Sequence, residues 1–243
     1  KNLNAEEKSH KFFDLKLKDS KIKSIYQKFE KKVKLTKCFA VAVSGGPDSL
    51  ALSFLSKVYS IKNKLNASFY IVNHKLRHDS TQEAIYVNQL LQKIFVKAKI
   101  LKWHGSKPRT NIQAIARVNR YDLILNECKK QAIRNVLVGH HQDDVLENFM
   151  IRLIRGSGLR GLVSLNEINN NKQLNILRPL ISFEKKDLIY VSKKIFNEYI
   201  EDPSNKDESF KRVKIRNLIK SLENEGLDKK KFISTIRNLK RSD

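Results

Sequence analysis

Short apolar runs alternate along this chain with longer segments in which apolar positions recur every three or four residues. The runs Cys38–Val43, Ser68–Asn73, Lys99–Trp103 and Asn135–Gly139 have strand length and predict buried β-strands. Helical spacing near Ser49–Tyr59, Ser80–Val96, Asn111–Lys129 and Asp143–Arg155 predicts amphipathic helices between them. This alternation predicts an α/β fold: a doubly wound, mainly parallel sheet with helices on both faces. Such sheets bind ligands beyond the carboxyl ends of their strands, near the switch point of the strand order. Ahead of the first strand, Phe12, Leu15, Ile22, Ile25 and Phe29 trace a loose helical stripe, and from about Phe183 the pattern is helical again. The chain thus divides into a basic helical N-terminal extension (residues 1–36), a sheet domain (37–182) and a basic helical C-terminal part (183–243). Asn169-Asn170-Asn171 marks an exposed turn.

Composition narrows the partners more than the fold. At 243 residues the chain can bury a full core. Forty-nine Lys and Arg against 25 Asp and Glu give a formal charge of +24, which suits a polyanionic partner through counterion release. The abundance of Lys, Asn and Ile also follows from an AT-rich genome, so the charge counts only alongside other features. No segment approaches the roughly eighteen unbroken apolar residues of a membrane span, and no secretory signal opens the chain, so the expected location is cytoplasmic, with no membrane partner. Cys38 and Cys128 form no CxxC pair and read as small buried hydrophobes.

Candidate chemistry sits where predicted strands end. After the first strand, Ser44-Gly45-Gly46-Pro47-Asp48-Ser49 runs into a helix. Adjacent glycines allow positive φ and close approach to a ligand, and the helix N-terminus is an anion site. Asp48 puts a negative charge where an anion should bind, which makes sense if a divalent cation accompanies the phosphates. No Gly-Lys-Ser/Thr closes the loop, so this is not a Walker pattern. After the fourth strand, His140-His141-Gln142-Asp143-Asp144 leads to Glu147. Acids three and four apart share a helical face and suit Mg²⁺ beside ATP phosphates. The adjacent histidines point apart and do not make a zinc site. Arg117, with Arg120 and Tyr121 beside it, opens a third helix and can reach a phosphate. Arg155-Gly156-Ser157-Gly158-Leu159-Arg160-Gly161 reads as a mobile, anion-wrapping loop, and the chain's few glycines concentrate here and in the Ser44–Gly46 turn. Arg212 and Arg216 share a helical face that could meet an RNA backbone. Asp202-Pro203-Ser204-Asn205 is a turn by its chemistry.

The Ser-Gly-Gly-x-Asp-Ser loop resembles the PP-loop of the N-type ATP pyrophosphatases, which split ATP between its α and β phosphates. With Val72-Asn73-His74, Ala116-Arg117, Arg120-Tyr121, His141, Asp143-Asp144, Glu147, Arg155–Gly158, Arg178-Pro179-Leu180 and Glu201-Asp202 with Ser204-Asn205, the chain resembles the tRNA(Ile)-lysidine synthetase family over roughly residues 37–221. The resemblance implies a ligase that adenylates the wobble cytidine of an isoleucine tRNA with a CAU anticodon. L-lysine then displaces AMP. It implies ATP binding by Ser44, Gly45, Gly46, Pro47, Asp48, Ser49 and His74, and Mg²⁺ binding by Asp48 and Asp144. It implies that Gln113, Arg117, His140, His141 and Glu147 meet lysine or the activated intermediate, with Asp48, Arg117, Asp144 and Glu147 as catalytic residues. Arg155, Arg160, Arg212 and Arg216 would meet tRNA. The chain departs from the family at Gln113, where a Glu is usual, at Asn148 (Thr) and at Val213 (Asn). Longer members add C-terminal tRNA-binding domains, and the basic helices near Asp243 are expected to serve where those are lacking.

Three other readings compete. A tRNA thiolase of the same superfamily would need active cysteines, which Cys38 and Cys128 are badly placed to supply. An amidating synthetase acting on a small substrate would not need so basic a surface. A non-catalytic RNA-binding relative would not need Asp48, Asp144 and Glu147 intact.

Overall fold

The structure, a computed structural model, describes residues 4–76, 79–105, 112–165, 167–170, 174–200 and 207–241. Helices α1 (Ala5–Lys16) and α2 (Ser20–Lys32) precede β1 (Phe39–Val43), α3 (Pro47–Lys62), β2 (Ala67–Asn73), α4 (Ser80–Gln92) and β3 (Ala98–Lys102). Then come α5 (Ile112–Lys130), β4 (Asn135–Leu137), α6 (Gln142–Ile154), α7 (Leu159–Leu162), β5 (Ile168–Asn170) and β6 (Asn175–Leu177). Helices α8 (Lys185–Phe196), α9 (Lys211–Asn224) and α10 (Lys229–Arg241) follow.

The six strands form one sheet in the order β3-β2-β1-β4-β6-β5, parallel except for β5, which runs antiparallel to β6 at the edge. From β1 the chain winds outward through β2 and β3, then crosses to β4 on the other side of β1. The switch point therefore lies between the carboxyl ends of β1 and β4. The four predicted strands and the helices between them are present. Beyond those expectations come β5 and β6. Asn169 and Asn170, expected in an exposed turn, belong to β5, and Asn171 lies outside the described residues. The Arg155–Gly161 segment contains the short helix α7.

Strand β1 explains why both faces must be covered. Phe39, Val41 and Val43 point into one core with Leu50, Phe54 and Leu55 of α3, Leu90 and Leu91 of α4, and Leu188 and Val191 of α8. Ala40 points into the other with Tyr70, Ile124, Cys128 and Val136. Helix α3 is buried nearly all round, its serines included, and packs between the sheet, α2 and α8. The N-terminal helices join this core through Phe13, Ile22, Tyr26 and Phe29. Helices α9 and α10 dock on α6 through a third core of Leu146, Phe149, Met150, Ile215, Ile219, Ile233 and Ile236. That docking brings the basic C-terminal helices to the acidic start of α6. Cys128 is buried and Cys38 half-buried.

Candidate active site

The turn after β1 is tied together by one hydroxyl. Ser49 Oγ accepts from the backbone N–H of Ser44 (3.2 Å) and of Gly45 (3.0 Å), and donates to the Gly46 carbonyl (3.0 Å). Ser44 Oγ lies 3.2 Å from it. Gly45 has φ +87°, and a Cβ there would collide with Val87. Its carbonyl accepts from Ile200 N at 3.0 Å. Gly46 caps α3 without a side chain, and Pro47 follows at the first helical position, where its missing N–H costs nothing. The first turn of α3 has no intrahelical partners for its N–H groups, which leaves an anion site beside Asp48.

Gly139 lets the end of β4 lie against this turn. A Cβ there would sit 3.2 Å from the backbone of Asp48 and of Ser49. Two residues on, His141 caps α6: its Nδ1 accepts from Asp143 N at 3.2 Å, and Asp144 Oδ2 accepts from His141 N at 2.8 Å. The ring proton is therefore on Nε2, which faces Asp48 Oδ2 at 3.5 Å and Asp144 Oδ2 at 3.7 Å. Asp48, His141 and Asp144, named separately by the sequence, come together here. Burial opposes charge on His141, but the hydrogen bond to Asp48 and the fields of Asp144, Asp48 and Asp143 outweigh it and raise its pKa. Burial likewise opposes charge on Asp144, and His141, His140, the capping N–H and Arg212 outweigh it and lower its pKa. Asp48 Oδ1 is buried and has no partner among the described residues.

Around this centre lie cations. Arg178, 4% exposed, donates from Nε to His140 Nδ1 at 3.1 Å. Burial, and then Arg178, Arg117 and Arg212 against the pull of Asp144, push the His140 pKa down to about 4. Arg117 is exposed and stacks on Tyr121, 5.4 Å from the ring centre. Arg212 lies 3.9 Å from Asp144, Lys229 2.9 Å from Asp143, and Arg216 2.6 Å from Glu147. Sequence reasoning points Arg212 and Arg216 toward RNA, whereas both reach the acids of α6. Arg178 stands out in the sequence only through its Arg-Pro-Leu run, and neither Lys229 nor Gly139 carries any signal there as a contact.

His74, at the end of β2, accepts from Arg120 Nε through its Nε2 at 3.3 Å, which leaves the proton on Nδ1. Burial and then Arg120 push its pKa down to about 4. Arg155 and Arg160 are exposed, and Arg155 lies about 16 Å beyond Asp144 along α6, at about 1.5 Å per residue. The Gln113 side chain and residues 201–206 lie outside the described residues. A cavity of about 380 Å³ opens between α1, α2 and the far end of α3, lined by Asp14, Lys18, Lys23, Tyr26, Glu30 and Lys62. It lies at the opposite end of α3 from the Ser44–Ser49 turn.

Comparisons with known proteins point the same way. A profile of the PP-loop domain family matches residues 17–222. The chain is similar to the tRNA(Ile)-lysidine synthase of Orientia tsutsugamushi (strain Boryong), 42% identical over 194 residues, covering 80% of this chain and 43% of that protein. It is similar to that of Wolbachia pipientis wMel, 37% identical over 205 residues, covering 84% and 48%. For Bradyrhizobium diazoefficiens the identity is 32% over 212 residues, covering 86% and 59%. The chain thus spans about half the length of these curated relatives. In fold it resembles a U34-tRNA thiolase from Methanococcus maripaludis solved with its [4Fe-4S] cluster. The TM-score is 0.76 at 18% identity, covering 91% of this chain and 78% of that one.

The two glycines of the turn should differ sharply in what they tolerate. Gly45→Ala should cost more than about 2 kcal/mol, since it meets both a left-handed backbone and Val87, whereas Gly46→Ala should cost less than about 1 kcal/mol. Equal losses in chemical denaturation would contradict the loop geometry. The folded pKa of His74 lies below its ordinary 6.5, so as pH falls the unfolded chain takes the proton first. Stability tied to neutral His74 is full above about pH 6.5 and drains away as pH falls toward 4. His74→Gln should therefore flatten the decline of Tm with acidification over that window, and parallel Tm curves for the two proteins would contradict it.

Proposed function

We infer that this chain, which belongs to the PP-loop domain family, carries the catalytic part of an enzyme that joins lysine to the wobble cytidine of an isoleucine tRNA. The observation that carries the reading is the meeting of Asp48, His141 and Asp144 at the sheet's switch point, beside the Ser44–Ser49 turn, with Glu147 one turn further along α6. Similarity at 32–42% identity to proteins named tRNA(Ile)-lysidine synthase supports the choice of reaction.

In this reading the α3 N-terminus and the Ser44–Ser49 turn hold the triphosphate, and His74 lies at the neighbouring strand end. The cytidine O2 attacks the α-phosphorus, the α–β bridging bond breaks, and pyrophosphate leaves. The C2–O bond, poor at leaving as a carbonyl oxygen, now carries AMP. The lysine ε-amine attacks C2, the C2–O bond breaks, AMP departs, and the amine gives up a proton. Arg117, exposed near the start of α5, would accompany the phosphate of the adenylate. His140 and His141 line the same edge, with Gln113 on the first turn of α5. The adenylate must be kept from water, which would return it to cytidine, and the Arg155–Gly161 segment is the candidate cover. Arg155 and Arg160, with the basic helical parts 1–36 and 183–243 around a PP-loop domain of 37–182, offer positive charge to the tRNA backbone.

A Mg²⁺ ion fits the donor set. Asp48 and Asp144 converge within reach of one nitrogen, and the buried Asp48 Oδ1 lacks a partner among the described residues. Among those residues no group of three ligands is assembled, which accords with Mg²⁺ taking one or two carboxylates together with substrate phosphates. Bound there, the ion would neutralise charge developing on the triphosphate.

We place the reaction in the cytoplasm; among the described residues no helix is long and apolar enough to cross a membrane. The thiolase reading is disfavoured because Cys128 is buried, which pushes its thiol up to about 12, and Cys38 precedes the amino end of β1, opposite to the Ser44–Ser49 turn.

Asp48→Asn and Asp144→Asn should each lower tRNA-dependent pyrophosphate release about a hundredfold or more. The amide introduced by Asp144→Asn retains a capping oxygen for α6, so the fold should survive, and the double variant should be little worse than either single one. Pyrophosphate release near the wild-type rate in either variant would sink the assignment.

A further inference from the structure

Three acids on one face of α6 each meet a cation from α9 or α10, and the three pairs are not alike. Arg212 stands 3.9 Å from Asp144 and is partly exposed, and Lys229 makes a single contact of 2.9 Å with Asp143. Arg216 instead grips Glu147 with two nitrogens, Nε to Oε1 at 2.6 Å and Nη2 to Oε2 at 3.4 Å. Glu147 is 4% exposed. A carboxylate so deeply placed stays charged only when paired and hydrogen-bonded, and the guanidinium fork supplies both with a fixed orientation. Arg216 itself is held in place, since its neighbours Ile215 and Ile219 are packed against Leu146 and Phe149. Burial opposes its charge, but Glu147, Asp144 and Asp143 outweigh that and raise its pKa.

A carboxylate offers about four lone-pair sites. The fork takes one on each oxygen, which leaves the others for a second cation. We propose that Arg216 is a positioning residue for the acceptor amine: it fixes the Glu147 carboxylate so that its remaining lone pairs receive the ammonium of lysine. Arg216 is then no phosphate contact, although its spacing from Arg212 suggests a shared RNA-facing surface. The proposal rests on the ligase reading above.

The test uses the whole chain with Arg216→Lys and Arg216→Met. KM for lysine should rise about ten- to a hundredfold, as for loss of a hydrogen bond to a charged group, and by a larger factor than KM for tRNA or ATP. The Lys variant, which keeps charge but loses the fork, should be the milder. Adding Glu147→Gln to Arg216→Met should cost little more, because the two act as one unit. A salt slope of tRNA binding shallower by about one phosphate, with lysine KM rising no more than tRNA KM, would overturn the proposal in favour of an RNA contact. Equal rises in KM for all three substrates with a fall in Tm would overturn it in favour of a purely structural pair. Failure of the ligase reading is separable, because it shows in the wild-type protein as AMP formation indifferent to lysine.

Discussion

The site depends on two helix N-termini being brought against each other at the sheet's switch point. Gly139 permits it, since a Cβ there would press on the backbone of Asp48 and Ser49 from 3.2 Å, closer than ordinary van der Waals contact. Once the turn after β1 and the start of α6 are in contact, His141 can cap its own helix with one nitrogen and face both Asp48 and Asp144 with the other. Two carboxylates that would repel one another in a partly buried space are thus held with a proton donor between them. The cost of bringing the acids together is offset by the groups that fold the helix.

Charge balance then shapes the surroundings. The acids of α6 are matched by Arg212, Arg216 and Lys229 from helices that reach the site only because Ile215, Ile219, Ile233 and Ile236 dock on α6. On the far side of His140, Arg178 is almost fully buried with its Nε on the imidazole. Burial and the surrounding guanidiniums hold that imidazole neutral. An anion arriving here meets several fixed donors and little reorganisation, which is how a preorganised site stabilises developing charge. The C-terminal helices therefore supply cations to the acids of α6 as well as to the basic surface.

Much of this was legible in the sequence, and the parts that were not have identifiable reasons. Strand β1 announced itself because a strand buried on both faces is apolar throughout, as Phe39–Val43 is, and β2 to β4 through short apolar runs, although β3 at the sheet edge carries Lys99 and Lys102. Strands β5 and β6 are three residues each and rich in Asn, too short for a period and better matched to turn chemistry. Gly45 was readable as a positive-φ position because a second glycine follows it. Gly139 was not, since its role is set by the backbone of a helix start distant in sequence, Asp48 and Ser49. Asp144 and Glu147 were found from spacing on a helix face and Asp48 from its place behind the Gly-Gly turn, but neither signal says what lies across from these acids. Hence the sequence showed Arg216 only as part of a basic helical face and not as the partner of Glu147, Arg178 as part of a run, and Lys229 as one more lysine in a basic tail.

The most direct test of the account separates its two half-reactions. Purified protein is incubated with ATP, Mg²⁺ and tRNA in the absence of lysine, the nucleotide products and the tRNA are resolved, and lysine is then added. The account predicts pyrophosphate and an adenylated tRNA before lysine, and release of AMP with lysine retained on the tRNA afterwards. Formation of ADP and phosphate, or of AMP without any adenylated tRNA or lysine dependence, would contradict it.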